Sequence, residues 1–150
     1  GCELVIENIE DKDPYARVEL AESFGCELVI ENIEDKDPYA RVELAESFGS
    51  KAVRISIDTG HAHYAHGSTG APPVDYFVKA AGSKLRHMHL QDADGYADRH
   101  WALGEGNINW HSVFNAIGKL DSDPRLIVEI KDHAKLPASI ANMEALGLAQ

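Results

Sequence analysis

Cysteine is scarce: Cys2 and Cys26 are the only two among 150 residues, too few for a disulfide scaffold. No apolar run approaches the 18 or so residues of a membrane span, and no charged-then-apolar leader opens the chain. With no cysteine framework either, the expected compartment is the cytoplasm. Basic residues are few. Fourteen Lys and Arg stand against 25 Asp and Glu, a formal charge of −11, which disfavours sequence-independent binding to nucleic acid or an anionic membrane. The rest is ordinary globular usage, 44% hydrophobic and 26% charged, and excludes disordered and collagen-like chains. The one excess is histidine, eight in all, most of them between His61 and His100.

The acidity has a simple source. Gly1 to Phe24 reads GCELVIENIEDKDPYARVELAESF, and Gly25 to Phe48 repeats it letter for letter. Each copy holds seven acids and two bases, so the pair supplies −10 of the −11, and the other 102 residues hold 11 acids and 10 bases. Solenoid repeats drift in sequence and usually number three or more. Two identical copies point instead to recent or engineered duplication, so the charge says little about partners.

Strand and helix patterns alternate along the chain. ELVIEN, Glu3 to Asn8 and again Glu27 to Asn32, reads as a short buried strand. DKDP then offers a turn with a capping Asp and a Pro suited to a first helical turn, and Tyr15 to Phe24 carries apolar residues at helical spacing up to Gly25. Ala52 to Asp58 is a β-branched strand, and TGHAHYAHGSTGAPP after it (59–73) reads as a loop. A helix from Val74 to Ala81, a strand from Leu85 to Leu90, a polar loop from Gln91 to Asn109, a helix from Trp110 to Leu120, a strand from Arg125 to Ile130 and a helix from Pro137 to Leu146 complete the pattern. Such alternation predicts an α/β fold with parallel pairing and right-handed crossovers. A closed (βα)8 barrel takes about 250 residues. The expected fold is therefore half of a TIM barrel plus one extra βα unit. Residues 1–24 form the duplicated unit and residues 25–150 a (βα)4 half-barrel, within one structural domain.

Metal-capable side chains fall at or beyond the C-terminal ends of these strands. Glu31 ends the second strand and Asp58 the third, with His61 three residues on. His87 and His89 lie near the end of the fourth, Asp98 and His100 in its following loop, and Glu129 at the end of the fifth. Successive strand ends converge on that face of a βα barrel. Imidazole with carboxylate suits zinc, manganese, cobalt or iron in divalent form, and the lack of thiolate argues against a structural zinc of the Cys type. A lone acid at a strand end is usually a cap or solvated turn, and a lone His a hydrogen-bonded structural residue. His63, His66, His111 and His133 are read that way, Met88 and Leu90 as core, and Gly104 to Asn107 (GEGN) as a loop. Four successive strand ends, each with a ligand type, are harder to place by chance.

ELVIEN, SIDTGHAH, LRHMHLQD, DRHWALGEGNINW and LIVEI, in this order, resemble the C-terminal half of the xylose isomerase-like barrels. That superfamily includes sugar-phosphate isomerases, ketose 3-epimerases and abasic-site nucleases of the endonuclease IV type. The resemblance runs from Glu27 to Glu144. In the epimerase branch it implies one divalent metal on Glu31, Asp58, His89 and Glu129, with His61 facing a small sugar or sugar phosphate. Glu31 and Glu129 would be the acid and base that move a proton beside a carbonyl. In the nuclease branch it implies the same four ligands and a second metal on His61, Asp98 and His100. The nearly neutral body lacks the basic groove that a phosphodiester backbone calls for, which ranks the nuclease below the epimerase. A third reading is a catalytically inactive scaffold. Glu7 is the first copy's counterpart of Glu31, and the sequence leaves open which copy lines the site. Half a barrel leaves two open strand edges, so homodimerisation about the barrel axis is expected to complete it.

Overall fold

The computed structural model describes residues 2–6 and 13–148. Five strands form one sheet in the order of the chain, every neighbouring pair parallel. They are β1 (Cys2–Ile6), β2 (Cys26–Glu31), β3 (Val53–Asp58), β4 (Leu85–Leu90) and β5 (Arg125–Val128). The crossovers carry five α-helices among the described residues, α1 (Pro14–Ser23), α2 (Pro38–Ser47), α3 (Thr59–Thr69), α4 (Val74–Ala81) and α5 (Trp110–Ile117), and α6 (Leu136–Ala145) follows β5. No helix among the described residues is long and apolar enough to cross a membrane.

Both copies of the repeat yield one strand and one helix. Asp13 caps α1 by accepting from the Ala16 amide at 3.1 Å, and Asp37 caps α2 by accepting from Tyr39 N at 2.9 Å. Pro14 and Pro38 open the helices, where a missing N–H costs nothing. β2, from the second copy, pairs with β3, and β1 takes the sheet edge. Glu31 thus stands beside the Asp58 strand, while Glu7 lies outside the described residues.

Side-chain alternation separates two faces. Leu28, Ile30, Val53, Ile55, Ile57 and Leu85 pack with the helices, where Phe77 and Val78 of α4 are buried between α2 and α5. Met88 and Leu90 belong to that same core. The opposite parity puts Glu31, Ser56 and Asp58 on the other face. A register shift at Ile55/Ser56 makes β4 change parity after Leu85, so that His87 and His89 join them, with Glu31 beside Ser56 and Asp58 beside His89.

One stretch read as loop is a helix. Residues 59–69 form α3, with only 70–73 left non-helical. The misleading signals were Gly60 and Gly67, each costing a helix about 1 kcal/mol relative to Ala. Their role is close approach: a Cβ on Gly60 would lie 2.3 Å from the Gln91 side chain, and one on Gly67 1.9 Å from the Gly95 carbonyl oxygen. Asp58 nucleates the helix by accepting from the His61 amide at 2.8 Å. Other boundaries differ by a few residues. α5 stops at Ile117 rather than Leu120, and β5 at Val128 rather than Ile130. Glu129 still continues the ladder, its N–H donating to the Leu90 carbonyl at 2.9 Å.

Candidate metal centre

The ends of β2, β3 and β4 bring Glu31, Asp58 and His89 together, one ligand atom from each lying within 4.8 Å of the others. Glu129, just past β5, reaches the group through His89. The imidazole Nδ1 stands 2.9 Å from Glu129 Oε2 and 3.0 Å from Glu31 Oε2. Neither His89 Nδ1 nor Glu31 Oε2 has an aligned hydrogen bond, although both atoms are buried. One ring proton cannot point at two carboxylates at once. A cation set among the three groups satisfies all of them, and the nitrogen–oxygen donor set suits a divalent metal.

His61, Asp98 and His100 form a second group within 4.8 Å. Asp98 Oδ2 lies 3.0 Å from His100 Nε2 and 3.7 Å from His61 Nε2. His61 faces both groups, because its Nδ1 is 3.4 Å from Glu31 Oε1. Six of the seven residues picked out in the sequence as metal ligands fall into these two neighbouring groups, and the seventh, Glu129, meets the first group through His89. His87 is not among them. It stacks beneath His89, ring centroids 5.1 Å apart, and shares a 2.9 Å hydrogen bond with Ser56 Oγ. His63 and His66 make structural contacts with Asn107 Oδ1 and the Ala71 carbonyl, both at 2.5 Å. His111 and His133 are exposed.

Proton affinities follow the same geometry. Burial works against a charged Glu31, yet the His61 and His89 imidazoles overcome it and hold the carboxyl at about 2. Burial likewise opposes a charged His61, but Glu31 and then Asp58 push it up to about 10. His89 is raised chiefly by Glu31. Burial raises Asp58 against the pull of His61. Without metal, protons on two imidazoles balance the carboxylates, and binding a cation has to release them.

Three site-building residues escaped the sequence reading. Asn32 is fully buried and clamps two strand ends, its Oδ1 accepting from Asp58 N at 2.7 Å while its Nδ2 donates to the Asp58 carbonyl at 3.2 Å. Asp92 is fully buried and organises the loop that presents Asp98 and His100, accepting from Gly104 N, Ile108 N and Trp110 Nε1 at 2.8, 3.3 and 3.0 Å. Gln91 sits between the two ligand groups. The signal for all three was a run of polar residues continuing straight out of an apolar strand, in VIEN and HLQD.

Comparison with known proteins agrees with this architecture. A family model described as xylose isomerase-like TIM barrel matches residues 3–146. A crystal structure of a D-tagatose 3-epimerase-like protein superposes with a TM-score of 0.77 at 22% identity, covering 96% of this chain and 61% of the other. A protein from Thermus thermophilus, soaked with ZnCl2, gives a TM-score of 0.68 at 23% identity over 99% of this chain and 62% of its own. The fructoselysine 3-epimerase of Escherichia coli O157:H7 is 49% identical over 37 residues, 25% of this chain and 13% of that protein. The chain spans less than two thirds of each of these relatives. On the extent of the family match, the chain belongs to the xylose isomerase-like TIM barrel family.

Proposed function

We propose that the chain carries the metal half of a sugar isomerase or epimerase, acting on a small sugar or sugar phosphate by moving a proton beside a carbonyl. The supporting observation is the convergence of Glu31, Asp58 and His89 from three adjacent strand ends, with Glu129 from the fourth touching the same imidazole nitrogen. The epimerase neighbours support the reaction class. Bound there, zinc or manganese (or cobalt or iron) would polarise a carbonyl and its neighbouring hydroxyl and make the intervening C–H acidic. Glu31 and Glu129 flank His89 and are assigned as the pair that removes and returns the proton. His61, donating from α3, faces the substrate. Two copies of the chain pair to complete the barrel.

The test is exchange in heavy water. Zinc- or manganese-loaded protein is incubated with ketohexoses and their phosphates and followed by NMR. Deuterium is expected at the carbon next to the carbonyl, falling roughly 10²–10⁴-fold in Glu129→Gln. The second group, His61, Asp98 and His100, favours one alternative, metal-dependent phosphodiester hydrolysis. Cleavage of abasic DNA without any sugar exchange decides for it, and neither activity decides for a scaffold without turnover.

A further inference from the structure

The two ligand groups are joined by one neutral side chain. Gln91 follows directly on β4 and is fully buried. Its Nε2 donates to Asp58 Oδ1 and Oδ2 at 3.1 and 3.2 Å and to Asp98 Oδ1 at 2.8 Å. Its Oε1 accepts from the His100 amide at 2.6 Å. The orientation of this amide is dictated by chemistry, since the reverse would set an oxygen against two carboxylates. Both amide hydrogens and the carbonyl are thereby used, two of them on the second group and one on the first.

Two further features are built around that side chain. Thr59 anchors its backbone, the Oγ1 donating to the Gln91 carbonyl at 2.7 Å and accepting from Gln91 N at 3.0 Å. Gly60 leaves it room, at a helical position where any Cβ would overlap the amide. His100 is also the only non-glycine residue with positive φ among the described residues, at 51°. That conformation is disfavoured for a side chain with a Cβ and persists only where surroundings impose it. Here Gln91 Oε1 holds its N–H, and Lys131 N donates to its carbonyl at 3.0 Å.

We infer that Gln91 is a positioning residue that couples the two ligand groups, orienting Asp58 in one against Asp98 and His100 in the other so that filling either group alters the affinity of its neighbour. The inference rests on the metal-binding reading above and goes beyond it. A glutamate at this position would set a third carboxylate against Asp58 and Asp98. An apolar residue would leave Asp58 with the His61 amide but no side-chain amide donor, and would take the amide hydrogen from Asp98 Oδ1.

The experiment titrates cobalt(II) into the metal-free chain, followed by calorimetry and visible absorption, for wild type, Gln91→Met and Gln91→Glu. Methionine keeps the length and volume without either hydrogen-bonding function. Wild type is expected to take two ions per chain with unequal, interdependent affinities. In both variants the second ion weakens about 10–100-fold, the loss typical when a ligand's orienting partner is removed, and the cobalt spectrum of the first ion changes because Asp58 has lost the Gln91 amide and keeps only the His61 N–H. Two ions bound by Gln91→Met with wild-type affinities and spectrum overturn the inference, as does a single ion per chain in wild type. A chain that takes no cobalt removes the metal reading itself. Gln91 is then judged in chelator by a thermal cycle of Gln91→Met and Asp98→Asn. Shifts in Tm smaller in the double variant than the two singles combined support the link, and additive shifts overturn it.

Discussion

Glu31 and His61 lie 3.4 Å apart between the two ligand groups, and their opposed shifts set how the metal-free protein responds to pH. The His61 value rises from 6.5 to about 10 on folding. Its contribution to stability is therefore complete below pH 6.5 and is lost as pH climbs toward 10. Glu31 falls from 4.5 to about 2, so its contribution is complete above pH 4.5 and is lost as pH drops toward 2. In chelator, Tm is expected to hold between about pH 4.5 and 6.5 and to decline through alkaline pH, and His61→Gln is expected to flatten that decline. A Tm that stays level up to pH 10 in wild type contradicts it. On the proposed metal reading zinc or manganese takes over the balancing charge, so loading is expected to raise Tm. His89→Ala removes the nitrogen that Glu31 and Glu129 share, and most of that rise should go with it. Glu31, Asp58, His89 and Glu129 stood out in the sequence because each lies at or just past the end of an apolar strand. Gln91 and Asn32 were not, because an amide at a strand end has no distinctive spacing, and its importance lies in which distant carboxylate it meets.

At the scale of elements, the strands were the easiest to read, since AVRISID and RLIVEI have few other uses than a parallel strand, the first buried as β3 and the second exposed at the sheet edge as β5. α3 was the hardest. Its two glycines carry the local signature of a loop, and only the tertiary contacts with Gln91 and Gly95 account for them. Gly67→Ala tests this reading. The added Cβ meets backbone rather than a movable side chain, so a loss of several kcal/mol in denaturant unfolding is expected, where a solvent-exposed loop position would move by less than about 0.5 kcal/mol. In the loop between β4 and α5 one buried carboxylate, Asp92, gathers three donors. Asp92→Ala leaves the buried amide of Ile108 and the Trp110 indole without an acceptor, at about 1–3 kcal/mol for each unsatisfied donor. The same change should release Asp98 and His100, so the second group loses cobalt affinity more than the first. Equal loss at both groups would argue that Asp92 acts on the fold alone.

The molecule as a whole presents two unlike surfaces at the ends of its sheet. At one end β1 has a neighbour on one side only among the described residues, and α1 leaves Leu20 and Phe24 52% and 73% exposed. In the second copy the same two residues, Leu44 and Phe48, pack against the core. Identical sequence with unequal burial marks α1 as a helix short of a neighbour. At the other end β5 is the last strand, with Leu126, Ile127 and Ile140 partly exposed, and Leu126, Val128 and Ile140 line an apolar groove of about 320 Å³. All five strands run the same way, so β5 of one chain and β1 of another can pair in parallel only if the chains are related by an axis along the strands. A two-fold axis there makes two equal junctions and leaves no open edge, the closed solution expected of a homodimer, with the duplicated β1 of each chain adding one strand beyond the four of a half-barrel. Both ligand groups then open on the same side of the assembly. Sedimentation velocity is expected to give twice the 16.4 kDa chain mass, and Ile127→Lys, a charge beside the β5 edge, should shift the protein to monomer. Wild type sedimenting as a folded monomer at all concentrations would refute the pairing, and the ligand groups, each built within a single chain, would still have to be judged by their own metal titrations.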